Sequence, residues 1–514
     1  MIPLQAPGAG RGTPNHHLSP NAPSFTPTSR GRGGGRGFRR RDMPQTDAPM
    51  IAELSRETLH HMFTAEETKI TDFEHLASYN WLDERNPTIA VPGMPSRLDQ
   101  PSTAVRVRPD YGKSFIDQNA ARNPDSPLEP LFRSLFALRP NYDVSAIDLV
   151  SDRNNIRKLL RFVTNNGDEF EIKVEIVGDK TLLLTRVEPE TECFSNGKQG
   201  YGHNFEDVVT KDHIGTGHHR VASYCLGGLK MINRSECDGY LNYEIGTQAF
   251  PSSAELVADP HVTASPTRRN PPRVARQKTP GISNLLDGLS ISTPISTNGT
   301  SLAGSKAQSS SVATNSTRYI PPALRGVQVG GVQVKYQGSS IPASQIIEIK
   351  TRVASKQLNY TNILAQMWAS QTRHLVAGYF DDGGWFRRIE CNDITSRIKE
   401  WEERNENNLQ KLVALIKWIR DNVQNVEEKR ATLRYEGRDS IRIMGLEPQE
   451  KALGPHLPHM RNAKKRAAMR GKSLPDDLYA KWDSPGLSAP ARNCASREAL
   501  EDVEGEDNGG VRLA

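Results

Sequence analysis

Two short charged segments contain the residues with the clearest chemistry. Glu236-Cys-Asp238 supplies two carboxylates at positions i and i+2, and Glu348-Ile-Lys350 supplies a carboxylate and an amine at the same spacing. On a β-strand, residues i and i+2 point to the same face. We therefore expect each segment to present two charged groups side by side. Apolar residues flank both segments, which indicates strand ends next to a core.

If the two strands are neighbours, three carboxylates and one amine share a pocket. Three carboxylates repel one another, and a hard divalent cation resolves that repulsion. Mg²⁺ or Mn²⁺ held there would activate a water molecule and stabilise charge on a phosphate. Lys350 would orient the water or stabilise the transition state. The segments thus predict one nuclease-type site in which Lys350, Glu236, Asp238 and Glu348 are catalytic.

Hydrophobic periodicity indicates the elements that must position these residues. It predicts helices at 128–138, 152–162, 359–370 and, as one long amphipathic helix, 394–423. It predicts strands at 170–176, 180–185, 221–232, 345–350 and 375–380. Strands and helices interleave, so the expected fold class is α/β (α+β), with a mixed β-sheet core and flanking helices.

Composition divides the 514 residues, which include 34 Pro and 40 Gly, into a core and three low-complexity stretches. Segments poor in apolar residues cannot bury enough surface to fold. We expect a disordered Arg/Gly-rich arm at 1–69, a disordered basic insertion at 259–341 and a disordered charged tail at 436–514. The core then consists of 70–258 and 342–435. The insertion separates the two charged segments, but loop-closure cost grows only slowly with length.

The amino-terminal arm contains an arginine cluster. Six arginines lie between positions 30 and 41, including Arg30, Arg32 and Arg36, without an acidic residue among them. Guanidinium groups neutralise phosphates and stack on bases, and glycine keeps such a segment flexible. The cluster predicts sequence-independent RNA contact; the other interpretation is a solubilising tail.

Several classes of protein lack support. The sequence has no GxxxxGK[ST] motif, no strand-flanked GxGxxG and no DDxxD pair, which argues against nucleotide-triphosphate, dinucleotide and polyprenyl-synthase folds. It has no run of 18 apolar residues, so we expect no membrane association. The five cysteines are scattered without a CxxC, which favours a reducing compartment and predicts a nuclear or cytoplasmic location.

Four motifs occur in an order that resembles a known family. These are Arg153 before a basic-apolar helix, Gly202-His-Asn-Phe-Glu206, Glu236-Cys-Asp238 and Glu348-Ile-Lys-Thr351. Together they resemble the decapping exoribonucleases of the DXO type, which include a fungal pyrophosphohydrolase that partners a 5′–3′ exoribonuclease. The sequence is also similar to uncharacterised fungal proteins that share its Ser-Tyr-Asn-Trp-Leu and Gly-Gly-Leu-Lys segments.

The resemblance implies a fold similar to the PD-(D/E)xK nucleases and a role for each matching residue. Glu206, Glu236, Asp238 and Glu348 would be ligands of Mg²⁺ or Mn²⁺, and Lys350 would be the catalytic lysine. Arg153 would contact the RNA backbone, and Gln371, one position out of register, would contact substrate. The implied partners are RNA 5′ ends and a 5′–3′ exoribonuclease.

Three functions remain open at this point. The first is a metal-dependent nuclease or pyrophosphohydrolase acting on RNA 5′ ends. The second keeps the fold without catalysis, as an RNA-binding or partner-stabilising relative. The third is a DNA nuclease, which the arginine cluster disfavours mildly.

Overall fold

The computed structural model describes residues 46–62, 66–197, 200–242, 331–446 and 472–483. All of them belong to one compact unit that extends from Gln45. The predicted RNA contacts at Arg30, Arg32 and Arg36 lie outside the described residues, as does most of the predicted insertion.

The strands form three sheets. In chain order they are β1 (Met50–Ser55), β2 (Thr71–Trp81), β3 (Thr88–Gly93), β4 (Arg97–Leu98), β5 (Val105–Arg106), β6 (Tyr111–Phe115), β7 (Leu149–Asp152), β8 (Phe170–Val177), β9 (Thr181–Val187), β10 (Glu192–Asn196), β11 (Thr210–Lys211), β12 (His218–Leu226), β13 (Leu229–Cys237), β14 (Gly239–Tyr240), β15 (Gln333–Gly338), β16 (Ile346–Val353), β17 (His374–Phe380), β18 (Trp385–Asp393), β19 (Arg430–Tyr435) and β20 (Ser440–Met444).

The helices pack around these sheets. They are α1 (Arg56–His60), α2 (Gln118–Arg122), α3 (Glu129–Leu138), α4 (Arg153–Val163), α5 (Gly202–Val209), α6 (Tyr360–Ser370), α7 (Thr395–Arg404), α8 (Glu406–Gln424) and α9 (Asp476–Asp483), with a 3₁₀ turn at Ala343–Gln345. Within the described ranges, no helix is long and apolar enough to cross a membrane.

The large sheet has 11 strands in the order β1-β20-β19-β8-β9-β7-β13-β12-β2-β3-β15. Strand β7 runs parallel to both β9 and β13, whereas β12 and β13 form an antiparallel hairpin. The small sheet has seven strands in the order β11-β4-β14-β16-β17-β18-β5, and β6 with β10 forms a separate ribbon. Parallel and antiparallel pairs occur together, so the predicted fold class, a mixed sheet with flanking helices, is confirmed.

Alternating residues of the large sheet enter two different cores. Leu182 and Leu184 face a cluster built with helices α4 and α8, whereas Leu183 faces a cluster built with α3 and α9. This is the period-two pattern of a sheet covered on both faces. Helix α6 lies between the sheets, because Trp368 joins the first cluster and Met367 joins the core of the small sheet.

Most predicted elements have the expected type, with two corrections. The predicted strand 221–232 is a hairpin, since Gly227 and Gly228 take positive φ values of 54° and 75° and reverse the chain. The predicted long helix 394–423 is two helices that meet at Asn405. There the side-chain amide donates to the carbonyl of Trp401, which competes with continued helical bonding.

The boundaries predicted for the low-complexity stretches also need correction. Strands β1 and β20 pair at one edge of the large sheet, and β15 pairs in parallel with β3 at the other. Helix α9, within the predicted tail, buries Leu478 and Trp482. A sheet edge supplies hydrogen bonds to a segment whose own composition is poor in apolar residues, and composition alone does not reveal this.

Candidate active site

The chain passes from the large sheet to the small one at Asp238. Strand β13 ends at Cys237, and β14 begins at Gly239 in the small sheet. Strand β14 pairs with β16 so that Gly239 lies opposite Ile347. This register places Asp238 beside the second charged segment, where its Oδ2 accepts a 2.6 Å hydrogen bond from the amide of Ile349. The two segments predicted to converge are therefore neighbours.

Glu348 lies at the centre of the site, with its side chain 1% exposed. Its Oε1 accepts from Lys350 Nζ at 2.5 Å and from the amide of Gln366. Its Oε2 accepts from Arg153 Nη1 at 2.9 Å. Burial acts to raise the pKa of Glu348, but Lys350 and Arg153 outweigh burial, and the pKa is lowered. The carboxylate is thus held in its charged form.

Lys350 is charged for the reciprocal reason. Burial acts to lower its pKa, but the carboxylates of Glu348 and Asp238 outweigh burial, and the pKa is raised. A cation held between two acidic groups suits electrostatic stabilisation of a negatively charged transition state better than proton abstraction.

Helix α5 brings Glu206 to the same place. Its first turn is fixed by Asp110, whose Oδ1 accepts from the amide of Asn204 at 3.1 Å. Phe205 is fully buried and packs against Phe386 of the small sheet. It also lies against Gly378, where a Cβ atom would overlap the phenyl ring. These contacts set the position of Glu206 relative to the small sheet.

The environment of Glu206 is strongly acidic. Burial, followed by the negative charges of Asp238 and Glu236, raises the pKa of Glu206 well above its ordinary value, while Lys350 opposes the rise. These mutual effects place the three carboxylates and the amine close to one another, because charges interact strongly only at short range.

The donor chemistry of the pocket fits a hard divalent cation. Mg²⁺ and Mn²⁺ prefer oxygen ligands such as carboxylates. A cation would relieve the repulsion that adds to burial in raising the pKa of Glu206. The side chains are not arranged around a common point, however. Among the described residues, no three His, Cys, Asp or Glu side chains form a group that could hold an ion as placed. Glu348 is engaged on both oxygens by nitrogen donors.

The two predicted substrate contacts differ in their placement. Arg153 is the first residue of α4 and lies in the site, paired with Glu348. Gln371 adopts a left-handed conformation at the end of α6, and its amide donates to the carbonyl of Trp368 at 2.7 Å. The side chain of Gln371 is therefore tied to its own helix; RNA contact by either residue stays a prediction.

Sequence reasoning missed Gln366 of α6, whose side-chain amide donates to Glu348. Gln366 is 1% exposed and shares the inward face of the helix with Ile363 and Ser370. A polar residue at helical spacing from buried apolar residues was the available signal.

A buried ion pair connects two of the elements that carry site residues. Arg234 donates to both carboxylate oxygens of Asp152, at 2.5 and 2.9 Å, and also to the carbonyl of Pro127 at 2.8 Å. Asp152 directly precedes Arg153, and Arg234 is two residues before Glu236. This two-bond ion pair therefore joins the start of α4 to the end of β13.

A model of one protein family, described as a domain of unknown function (DUF8563), matches residues 58–284 and 299–454. The match covers most of the chain, which therefore belongs to this family. No curated protein matches the sequence.

Solved structures with a similar arrangement include three fungal proteins. Rai1 of Candida albicans in complex with pU5-Mn²⁺ has a TM-score of 0.44 and 10% identity, covering 86% of this chain and 100% of that one. Rai1 of Scheffersomyces stipitis in complex with (3′-NADP)⁺ and calcium has a TM-score of 0.42 and 13% identity, covering 83% and 99%. Dxo1 of K. lactis in complex with manganese has a TM-score of 0.40 and 11% identity, covering 77% and 98%. These proteins are of the DXO type that the four motifs resemble.

Proposed function

We propose that the protein is a metal-dependent hydrolase that acts on RNA 5′ ends, cleaving a phosphodiester or pyrophosphate bond. The observation that carries the proposal is the proximity of four carboxylates and one amine where the two sheets meet, namely Glu206, Glu236, Asp238, Glu348 and Lys350. The proposed location is nuclear or cytoplasmic, and the proposed partners are RNA and a 5′–3′ exoribonuclease.

Each charged group has a distinct part in this proposal. Glu206, Glu236 and Asp238 would bind Mg²⁺ or Mn²⁺. Glu348 would be the fourth ligand, as the motif resemblance implies. The ion supplies a Lewis acid for the phosphate and a lowered pKa for a bound water. Lys350 stabilises negative charge on the phosphate oxygens. Arg153 contacts the RNA backbone from the start of α4.

One observation favours the second candidate, an RNA-binding relative without catalysis. Both oxygens of Glu348 accept hydrogen bonds from side chains, and a carboxylate saturated in this way competes poorly for a cation. The two candidates differ in one measurable respect, which is turnover.

The deciding experiment uses purified full-length protein and short RNAs with triphosphate, capped or monophosphate 5′ ends. With Mg²⁺ or Mn²⁺, at least one RNA should release product, and EDTA should stop release. Glu236→Gln and Lys350→Ala should each lower the rate at least about 100-fold. Lys335→Ala, which removes an exposed amine paired with Glu84, is the matched control and should keep full activity. RNA binding without product from any substrate would favour the second candidate.

A further inference from the structure

The separate ribbon of β6 and β10 carries two aromatic rings on its outer face. Tyr111 is 73% exposed and Phe194 is 66% exposed, which makes them the two most exposed large apolar side chains among the described residues. Their ring centroids lie 5.6 Å apart, and the ring planes are 74° from each other. Single exposed apolar residues are ordinary, but two adjoining exposed rings mark an interaction site. We call β6 and β10 with these two rings the aromatic ribbon.

The register of the two strands explains why both rings face solvent. Phe194 lies opposite Lys113, which is two residues after Tyr111. Residues i and i+2 share a face of a strand, and so do directly opposed residues, so all three side chains lie on the outer face. On the inner face, the Ser114 hydroxyl and the Cys193 thiol are 3.1 Å apart, and Ser114 is buried. The pairing of the strands therefore holds the rings in solvent.

The edge-to-face arrangement of the rings leaves flat surface free for a ligand. A ring that presents its edge to a neighbour keeps both of its own faces free, and the neighbour keeps its outer face. A nucleic-acid base is a flat π-system that stacks on such a face whatever its identity. The pair of rings therefore fits the unpaired bases of a single strand.

Cationic side chains flank the two rings. Arg108, three residues before Tyr111, is exposed. The Lys113 amine is 2.7 Å from Glu192, and both side chains of this pair are partly exposed. An exposed ion pair contributes little free energy, so the amine can contact a phosphate instead at little cost. Two rings between two cations match a polyanion that carries flat side groups.

Both ends of β6 lie next to the candidate active site. At one end, Asp110 accepts from the amide of Asn204 in the first turn of α5, the helix that carries Glu206. At the other end, Phe115 lines a pocket together with Glu236. The aromatic ribbon therefore borders the site, and a strand of RNA bound at the site lies within reach of the rings.

We propose that the aromatic ribbon is a base-stacking platform for RNA, in which Tyr111 and Phe194 each stack on one base of the strand that leaves the active site. Arg108 and Lys113 contact the phosphates of those nucleotides. This inference rests on the proposed function for its choice of RNA, and it adds contacts to bases that the charged site does not make. Every base has a π-face, so the platform holds the strand without reading its sequence.

The first test compares RNAs with and without bases. Full-length protein in EDTA is titrated into ten-nucleotide RNAs that carry a 5′-monophosphate and a 3′ label, followed by fluorescence anisotropy. One RNA is complete, and the other has abasic sugars at nucleotides two to five. Wild type should bind the complete RNA at least about tenfold more tightly, because the abasic RNA cannot stack on the rings. Equal affinity for the two RNAs overturns the proposal.

Variants identify the rings responsible. Tyr111→Ala and Phe194→Ala should each weaken binding of the complete RNA by at least about fivefold and change the affinity for the abasic RNA by less than about twofold. Tyr336→Ala is the matched control, since it removes a partly exposed aromatic side chain from β15. It should bind both RNAs as wild type does. Equal losses for the two RNAs in both ribbon variants would contradict stacking on bases.

Conservative variants keep the test decisive if an alanine variant disturbs the ribbon. Tyr111→Phe and Phe194→Tyr retain a ring and should bind the complete RNA within about threefold of wild type. Phe194→Leu retains apolar bulk without a ring and should bind as Phe194→Ala does. Wild-type affinity in Phe194→Leu, or an alanine-like loss in Phe194→Tyr, would overturn base stacking.

These binding results are independent of turnover, because no metal is present. Affinity that depends on bases and rings, without product release from any RNA, would keep the platform and contradict the hydrolase. Product release together with an RNA affinity that is independent of both rings would do the reverse, and would leave a protein partner as the occupant of the aromatic ribbon.

Discussion

Asp238 accepts a hydrogen bond from the amide of Ile349, a residue 111 positions further along the chain. The bond joins the point where the chain leaves the large sheet to the strand that carries Glu348 and Lys350. The N···O distance is 2.6 Å, and the acceptor is a carboxylate. Such a hydrogen bond is stronger than one between two neutral peptide groups. The site depends on this junction, because neither sheet alone carries all of its carboxylates.

Gln366 and Gln371 offer a matched pair for testing how Glu348 is positioned. Gln366→Leu removes a donor to Glu348 and leaves the shape of α6 intact, so RNA hydrolysis should fall by about 10- to 100-fold. Gln371→Ala removes only a bond to the end of the helix and should change the rate by less than about threefold. Steady-state rates with the preferred RNA measure both. A larger effect from Gln371 would support its predicted role as a substrate contact.

The contact between Gly378 and Phe205 should control the position of Glu206. Gly378→Ala places a Cβ atom in overlap with the edge of the phenyl ring, so α5 must shift. We expect a loss of about 1–3 kcal/mol in the free energy of unfolding. Mn²⁺ affinity should fall as well. Adding Phe205→Leu should recover part of both losses by making room. Thermal unfolding measures the stability, and Mn²⁺ titration measures the affinity. If the double variant has the same stability and Mn²⁺ affinity as Gly378→Ala, the contact with the Phe205 ring is not the cause of the losses.

Stability should depend on pH through Glu348. Its pKa in the folded protein is lowered from an ordinary value of 4.5, so its stabilising effect is complete above pH 4.5 and is lost as the pH falls below that value. Glu348→Gln leaves Arg153 without the carboxylate that it pairs with, and leaves Lys350 with only Asp238 as a counter-charge. The variant should lose about 3–5 kcal/mol in the free energy of unfolding near pH 7. The difference in this free energy between variant and wild type should become smaller as the pH falls.

Urea unfolding in EDTA at several pH values measures this difference. Glu400→Gln is the control, because it removes an exposed carboxylate paired with Arg404. It should leave the dependence of the unfolding free energy on pH unchanged. A constant difference between wild type and Glu348→Gln across the acidic range would mean that the carboxylate is not held in its charged form.

Local pattern predicted the parts of this site that repeat along a strand or helix. Alternation placed Glu348 and Lys350 on a strand, and the acids suggested a shared cation. The route between the sheets was not predictable, because β14 is two residues long and has no periodicity to detect. Gln366 was missed because its role depends on tertiary contact.

Composition was a poorer guide at the sheet edges. Strand β15 is largely exposed and polar, and it exists because β3 supplies its hydrogen bonds. The pocket lined by Arg153, Arg157 and Arg186 was also beyond sequence reasoning, since it combines α4 with residues from β9, β12 and the segment before α2. Such sites arise from topology rather than from spacing.

Mn²⁺ binding measured by isothermal titration calorimetry tests the central claim most directly. Wild type should bind the ion, and Glu206→Gln and Asp238→Asn should each weaken binding by at least about tenfold. Asp381→Asn, in an exposed acidic turn, should bind as wild type does. Binding that is unchanged when Glu206 or Asp238 loses its charge, or hydrolysis that proceeds in EDTA, would contradict a metal site built from these carboxylates.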